Sequence, residues 1–168
     1  MMKFDLTKDY LSELNALIDN KDSKSVLSFI EDCHPADIAE ILDQLDFENA
    51  SILFELLEDE IAADVLVELE DDLREKLLKI HSPKEIAEEF VDNLDSDDAA
   101  DIISELPENK KQEVLSHIED LEHASDIVDL LNYDEDTAGG LMAKELIQVN
   151  SNWSVMRCVK EMRKQAED

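Results

Sequence analysis

The chain has 168 residues, 43% of them hydrophobic, with 45 acidic against 15 basic side chains and a formal net charge of −30. That apolar fraction suffices to bury a core, so the charge alone does not make the chain disordered. The charge does exclude nucleic-acid phosphates and anionic lipid as favoured partners, while it attracts cations.

Taken in chain order, apolar residues recur at spacings of three and four, which predicts helices. Ile38, Ile41, Leu42 and Leu45 form one stripe; Ile52, Leu53, Leu56 and Leu57 form the next, followed by Val65, Leu66 and Leu69. Leu73, Leu77, Leu78 and Ile80 come next, then Ile86, Phe90, Val91 and Leu94. The series ends with Ile102, Ile103 and Leu106, with Val114, Leu115 and Ile118, and with Ile127, Val128, Leu130 and Leu131. Ser82-Pro83-Lys84-Glu85 has the layout of a capping box with Pro at the first helical position; His34-Pro35-Ala36-Asp37 repeats it with weaker caps. Pro107 ends one helix and can open another.

An internal repeat underlies these helices. His34–Glu40 aligns with Ser82–Glu88 at an offset of 48, and after a one-residue slip Asp46–Leu57 aligns with Asp95–Leu106. Helices of roughly ten residues are unstable alone. Repeating them predicts an all-α fold, a superhelix of stacked short helices over residues 1–131, with a compact irregular bundle as the alternative.

Residues 132–143 read as an acidic junction. They hold both glycines of the chain, Gly139 and Gly140, where a turn with positive φ is expected. From 144 to 168 the pattern predicts a strand at Leu146–Val149, then a helix carrying Val155, Met156, Val159 and Met162 with caps at Asn150-Ser151-Asn152. One strand and one helix do not make a domain, so this part reads as the start of an incomplete module. The charge follows the same division. Residues 1–143 hold ten basic and 41 acidic residues, a net of −31, whereas the remainder is nearly balanced.

Chemistry-bearing motifs are few, and an enzyme is not expected. The four histidines show no metal-ligand spacing, Cys33 and Cys158 suggest neither a disulfide nor a redox motif, and no Gly-rich phosphate loop occurs. Cys33 reads as a packing residue at a helix end. An EF-hand beginning at Asn132 fails, with Thr137 where Gly and Ala143 where Glu are required. No run of 18 apolar residues and no signal peptide are present, so the chain is expected to be soluble and intracellular. Hard divalent cations remain a candidate ligand through carboxylates at helix ends. Asp97, Asp98 and Asp101 gather at one helix N-terminus, where Asp97 and Asp98 equally suit plain helix caps.

The Pro35–Leu42 helix type, followed by Tyr133–Met142 with its Asp-Thr-Ala-Gly-Gly-Leu-Met run, resembles the cytosolic part of MgtE magnesium transporters and channels. The resemblance runs from about residue 34 to the end. It implies an acidic helical N domain, then the beginning of the first CBS module, on the cytoplasmic side of the cell membrane. The partners it implies are the CBS modules and transmembrane pore of the same polypeptide, homodimeric in the intact transporter. Mg²⁺ is the implied ligand, holding the N domain on the CBS modules and favouring the closed pore. The matching metal-site positions are Asp64, Asp97, Asp101 and Gly139, with Asp98 as the neighbour that a one-residue slip would exchange for Asp97. A different class of function, a helical interaction scaffold similar to the middle domains of flagellar motor switch proteins, has comparable acidic helices but no such glycine junction.

Overall fold

The computed structural model describes residues 6–133, 137–145 and 147–165, and among these no strand occurs. The helices are α1 (Lys8–Asp19), α2 (Ser23–Ile30), α3 (Pro35–Asp43), α4 (Phe47–Phe54), α5 (Asp59–Glu68) and α6 (Asp71–Ile80). Next, α7 opens as Pro83–Glu85, widens into a π-helical turn over Ile86–Phe90 and closes with a 3-10 turn over Val91–Asn93. Then come α8 (Ser96–Ser104), α9 (Glu108–Leu115), α10 (Leu121–Leu130) and, beyond the junction, α11 (Val155–Gln165).

Packing follows a stepping pattern. α1 packs on α2 and α4, α3 on α4 and α5, α5 on α7, α7 on α9, and α8 on α9 and α10. Most of these contacts join helices one or two places apart, and α1 reaches three places to α4; they stack because no helix this short can cover its own apolar stripe. One continuous core results, from Leu14 and Ile18 at one end to Ile127 and Leu130 at the other. Its largest all-but-fully buried members include Phe54, Phe90, Leu42, Leu66, Leu77 and Ile103. Burial of each such side chain is worth about 1.5–3 kcal/mol.

Local chemistry explains where the helices start. Thr7, Asp22, Asp46 and Asp120 each accept a backbone N–H of the first turn of α1, α2, α4 and α10. The box at α7 is complete: Ser82 Oγ accepts from Glu85 N at 3.2 Å, and Glu85 Oε2 accepts from Ser82 N at 2.7 Å. At α3 the return bond from His34 N to Asp37 Oδ2 measures 3.2 Å. At the end of α6 a lysine from α9 does the capping. Lys110 Nζ donates to the carbonyls of Leu78 and His81, both at 2.6 Å, and burial holds its ammonium below the ordinary lysine range.

Several expectations need correction. Ile52, Ile80 and Val128 are 41%, 54% and 48% exposed. Ile52 and Val128 each sit beside a buried residue rather than three or four from it, and a step of about 100° carries them off the core face; Ile80 is the last residue of α6, where the helix ends. The expected strand does not form: Ile147–Val149 has no ladder partner among the described residues, and Leu146 lies outside them. Asn150 makes a tight turn instead, its Oδ1 accepting from Asn152 N at 2.9 Å, and α11 begins after Ser154.

His81, one of the four histidines without metal-ligand spacing, is a core component. It is 7% exposed, with Nδ1 2.7 Å from the Leu77 carbonyl, Nε2 3.0 Å from Glu55 Oε1, and its ring edge-on to Phe54 and Phe90. Cys33 packs against the core and touches Tyr10 Oη at 3.8 Å, and burial pushes its thiol up.

Candidate metal-responsive acidic face

Two helices build the acidic face. In α5, Ala62, Ala63, Val65 and Leu66 are buried, which leaves Asp64 pointing to solvent between them. In α8, Ala99, Ala100, Ile102 and Ile103 are buried, so Asp101 is exposed while Asp97 and Asp98 are partly covered in the first turn. Neither Asp97 nor Asp98 is the N-cap; that position belongs to Asp95, followed by Ser96 as the first helical residue. The capping alternative for Asp97 and Asp98 therefore fails on register. Both still gain from the positive end of the helix dipole.

The acids repel one another. Burial pushes the Asp98 carboxyl above the usual aspartate range, and Asp97, Asp95, Asp101 and Asp64 add to the shift. Burial likewise pushes Asp95 up, with Glu145, Asp97 and Asp64 adding to it and His123 opposing. The fold thus brings Asp64 from α5 within electrostatic reach of the α8 acids, although 31 positions separate Asp64 from Asp95.

Asp98 and Asp101 also border an open groove of about 550 Å³ that they share with Asp71, Asp72, Glu75, Glu105 and Arg74. Arg74 is committed elsewhere. Its guanidinium holds Glu105 at 2.6 and 3.1 Å and Asp71 at 2.8 Å, and it donates to the carbonyls of Val67 and Leu69.

Gly139 enters through a different contact. Neither glycine has positive φ, contrary to expectation. A Cβ on Gly139 would instead run into the ring of Tyr133, which packs close against the Gly139 backbone and would have to move to admit it. The turn is closed by Leu141 N donating to the Thr137 carbonyl at 3.1 Å. Asp134, Glu135 and Asp136 of the junction lie outside the described residues.

Sequence reasoning missed one residue of this region, Glu145. Its carboxylate accepts from Ser96 N at 3.0 Å and from Ser96 Oγ at 3.1 Å. Lys144 N donates to Ser96 Oγ at 3.3 Å, and Lys144 Nζ holds Asp129 of α10 at 2.5 Å. Burial opposes ionisation of Glu145, but its own backbone N–H, both Ser96 donors and nearby His123 outweigh that and hold its carboxyl low. The partners are 49 positions apart, so no local pattern could have revealed them.

Among the described residues no three His, Cys, Asp or Glu side chains are close enough together to hold a metal ion. What the face offers is a set of oxygen donors with a shared excess of negative charge. Hard divalent cations that keep part of their water shell suit such a set.

A family model described as the MgtE intracellular N domain matches residues 33–136. A search among curated proteins finds no match. Among solved structures, the soluble part of a magnesium transporter is similar at a TM-score of 0.78 with 22% identity, covering 95% of this chain and 62% of that one. The cytosolic domain of the Mg²⁺ channel MgtE in complex with ATP is similar at a TM-score of 0.80 with 27% identity, covering 94% and 64%. This chain therefore spans a little under two thirds of the length of the solved structures it matches. No helix among the described residues is long and apolar enough to cross a membrane. With more than half of its residues matched by that model, and the stacked all-helical fold shared with both solved structures, the chain belongs to the family of MgtE intracellular N domains.

Proposed function

We propose that this chain is a Mg²⁺-sensing regulatory segment of a magnesium transporter or channel, and not an enzyme. Asp64, Asp97 and Asp101, with Asp98 beside them and the carbonyl of Gly139, supply oxygen ligands to Mg²⁺. CBS modules of the same polypeptide supply the opposing ligands, within a homodimer on the cytoplasmic side of the membrane. The observation that carries this reading is that Asp64 of α5 lies within electrostatic reach of Asp95 and Asp98 at the start of α8, in a chain whose fold matches the MgtE intracellular N domain.

The mechanism follows from charge. Brought against another acidic surface, this face is repelled; a divalent cation between the two attracts both and reverses the sign. Because Mg²⁺ binds the docked state better than the undocked one, rising Mg²⁺ shifts the population toward docking and a closed pore. Low Mg²⁺ releases it. The ligand set on this chain alone is open, so its own Mg²⁺ affinity is weak and binding occurs without a large change of shape.

Calorimetry and thermal melts in MgCl₂ and NaCl at matched ionic strength test this on the 168-residue chain. Mg²⁺ should stabilise it beyond Na⁺, and Asp64→Asn, Asp97→Asn and Asp101→Asn together should abolish the difference. Equal stabilisation by the two salts would leave only screening. In the intact transporter the same triple variant should resist closure by Mg²⁺; an unchanged flux midpoint would return these residues to solvated surface.

A further inference from the structure

His81 stands where α4, α5, α6, α7 and α9 come together. It is the C-cap of α6 and is buried, with its ring edge-on to Phe54 of α4 and Phe90 of α7. Both ring nitrogens meet oxygen: Nδ1 lies 2.7 Å from the Leu77 carbonyl, and Nε2 lies 3.0 Å from Glu55 Oε1. A carbonyl only accepts, so Nδ1 carries a proton. The contact with Glu55 then needs a second proton, on Nε2 or on the carboxyl. The Glu55 side chain is 58% exposed, where water favours the carboxylate, and the ring sits at the negative end of the α6 dipole. Both place the proton on the imidazole. Either neutral tautomer would turn a bare nitrogen toward an oxygen acceptor.

The surroundings also favour a cation. Glu55 follows the end of α4, and Asp59 of α5 and Glu89 of α7 border the same recess of about 200 Å³ beside the ring. Glu85 of α7 lies within electrostatic reach. Against these stands Lys110 of α9, whose ammonium donates to the His81 carbonyl at 2.6 Å. The carboxylates outnumber the ammonium, and burial is what opposes charge on the ring.

We propose that His81 and Glu55 form a proton-operated latch: an imidazolium holds the end of α6 to the end of α4, and loss of its ring proton to solvent as pH rises frees Glu55 into water and loosens the joint. A partner that favours the charged ring contributes stability that is present at low pH and lost as pH rises through the ring's titration in the fold. The latch contains none of the acids proposed as Mg²⁺ ligands, so the domain answers to pH and to the cation through separate parts.

NMR of the ring nitrogens in the ¹⁵N-labelled 168-residue chain, from pH about 5 to about 9, follows the proton directly. Glu55→Gln keeps the size of the side chain and removes its charge. It should lower the proton affinity of the His81 ring about fivefold. The exposed ring of His117 in the same samples measures the general effect of losing one charge and should change less than about twofold. Thermal melts give a second reading: Glu55→Gln should lower Tm at pH about 6, and the deficit should vanish by about 8.5.

Equal changes at the two rings would show that Glu55 does not hold the proton, and the proposal fails. A Tm deficit that stays constant across this range would also overturn it, because the contact would then not depend on the proton.

Discussion

The two halves of the internal repeat begin alike and then diverge. Helices α3 and α7 both open with Pro at the first position, and α4 and α8 both follow an Asp at the N-cap. Between those marks the second copy is one residue longer. In α3 the buried residues are Ile38, Ala39, Ile41 and Leu42; in α7 they are Ile86, Ala87, Phe90 and Val91. The extra residue falls at Glu88 or Glu89, within the π-helical turn. A wider turn absorbs one residue while returning the next apolar pair to the core. A solenoid can thus tolerate a change of length inside a helix, provided the buried face is restored within a turn.

The largest contrast should come from deletions. Removing Glu40 from α3 rotates Ile41 and Leu42 by about 100° off the core face and is expected to cost more than about 4 kcal/mol, abolishing cooperative unfolding. Removing Glu88 from α7 restores the spacing found in α3 and should cost less than about 2 kcal/mol. Circular dichroism melts of the two variants decide this; comparable losses would show that the π turn does not absorb the extra residue.

Next in size is Phe90→Ala, expected to cost about 3–5 kcal/mol, since the ring meets Phe54 and His81 with centroids 5.6 and 5.0 Å away. Urea melts measure it, and a loss below about 1 kcal/mol would mean that the surroundings collapse into the space.

The caps differ more subtly. Asp46→Ala removes a local cap from α4 and should cost about 1 kcal/mol. Glu145→Ala removes two hydrogen bonds to a buried serine and should cost about 1–3 kcal/mol. The reverse order in chemical denaturation would make the long-range cap the weaker of the two.

Acidity gives a smaller effect of predictable sign. Burial holds Glu89, Asp92 and Asp98 above their ordinary values, with neighbouring carboxylates adding to it. Groups raised on folding contribute stability that is present at low pH and lost as pH rises through their folded values. Tm should therefore increase as pH falls from about 7 to about 5. Below about 4 the trend should reverse as Glu145, held low in the folded state, takes up its proton. A Tm that falls steadily from neutral pH would contradict the raised carboxyls.

Smallest is Gly139→Ala. The blocking Tyr133 ring is 47% exposed and can swing aside, so the cost should stay below about 1 kcal/mol. Its signature is altered Tyr133 fluorescence rather than a changed melt.

What the sequence made legible was the part governed by neighbours along the chain. Periodicity marked most of the core, and the Ser82–Glu85 box and the offset of 48 with its one-residue slip anticipated α7 and the register of the second copy. The acidic residues of the candidate site were legible as types at helix positions. Their electrostatic coupling was not, because Asp64 comes within reach of the α8 acids only in the folded chain. The Glu145–Ser96 contact and the Lys110 cap were hidden for the same reason, and so was the burial of His81, whose partner Glu55 caps the end of α4. The positive φ expected at Gly139 is not there, and the ring of Tyr133 packed against its backbone leaves no trace in local conformational preference.

The family match begins at Cys33, yet two further helices precede it and are built into the core: Leu14, Ile18, Val26 and Ile30 are buried, and Tyr10 stacks on Phe29 at 4.5 Å. A stack of repeats has two ends, and α1, packed on α4 and backed by α2, covers one of them. Trimmed to the matched residues, the protein would present that apolar end to water. Two such ends would meet readily, and the shortened chain would pair with itself despite its high net charge.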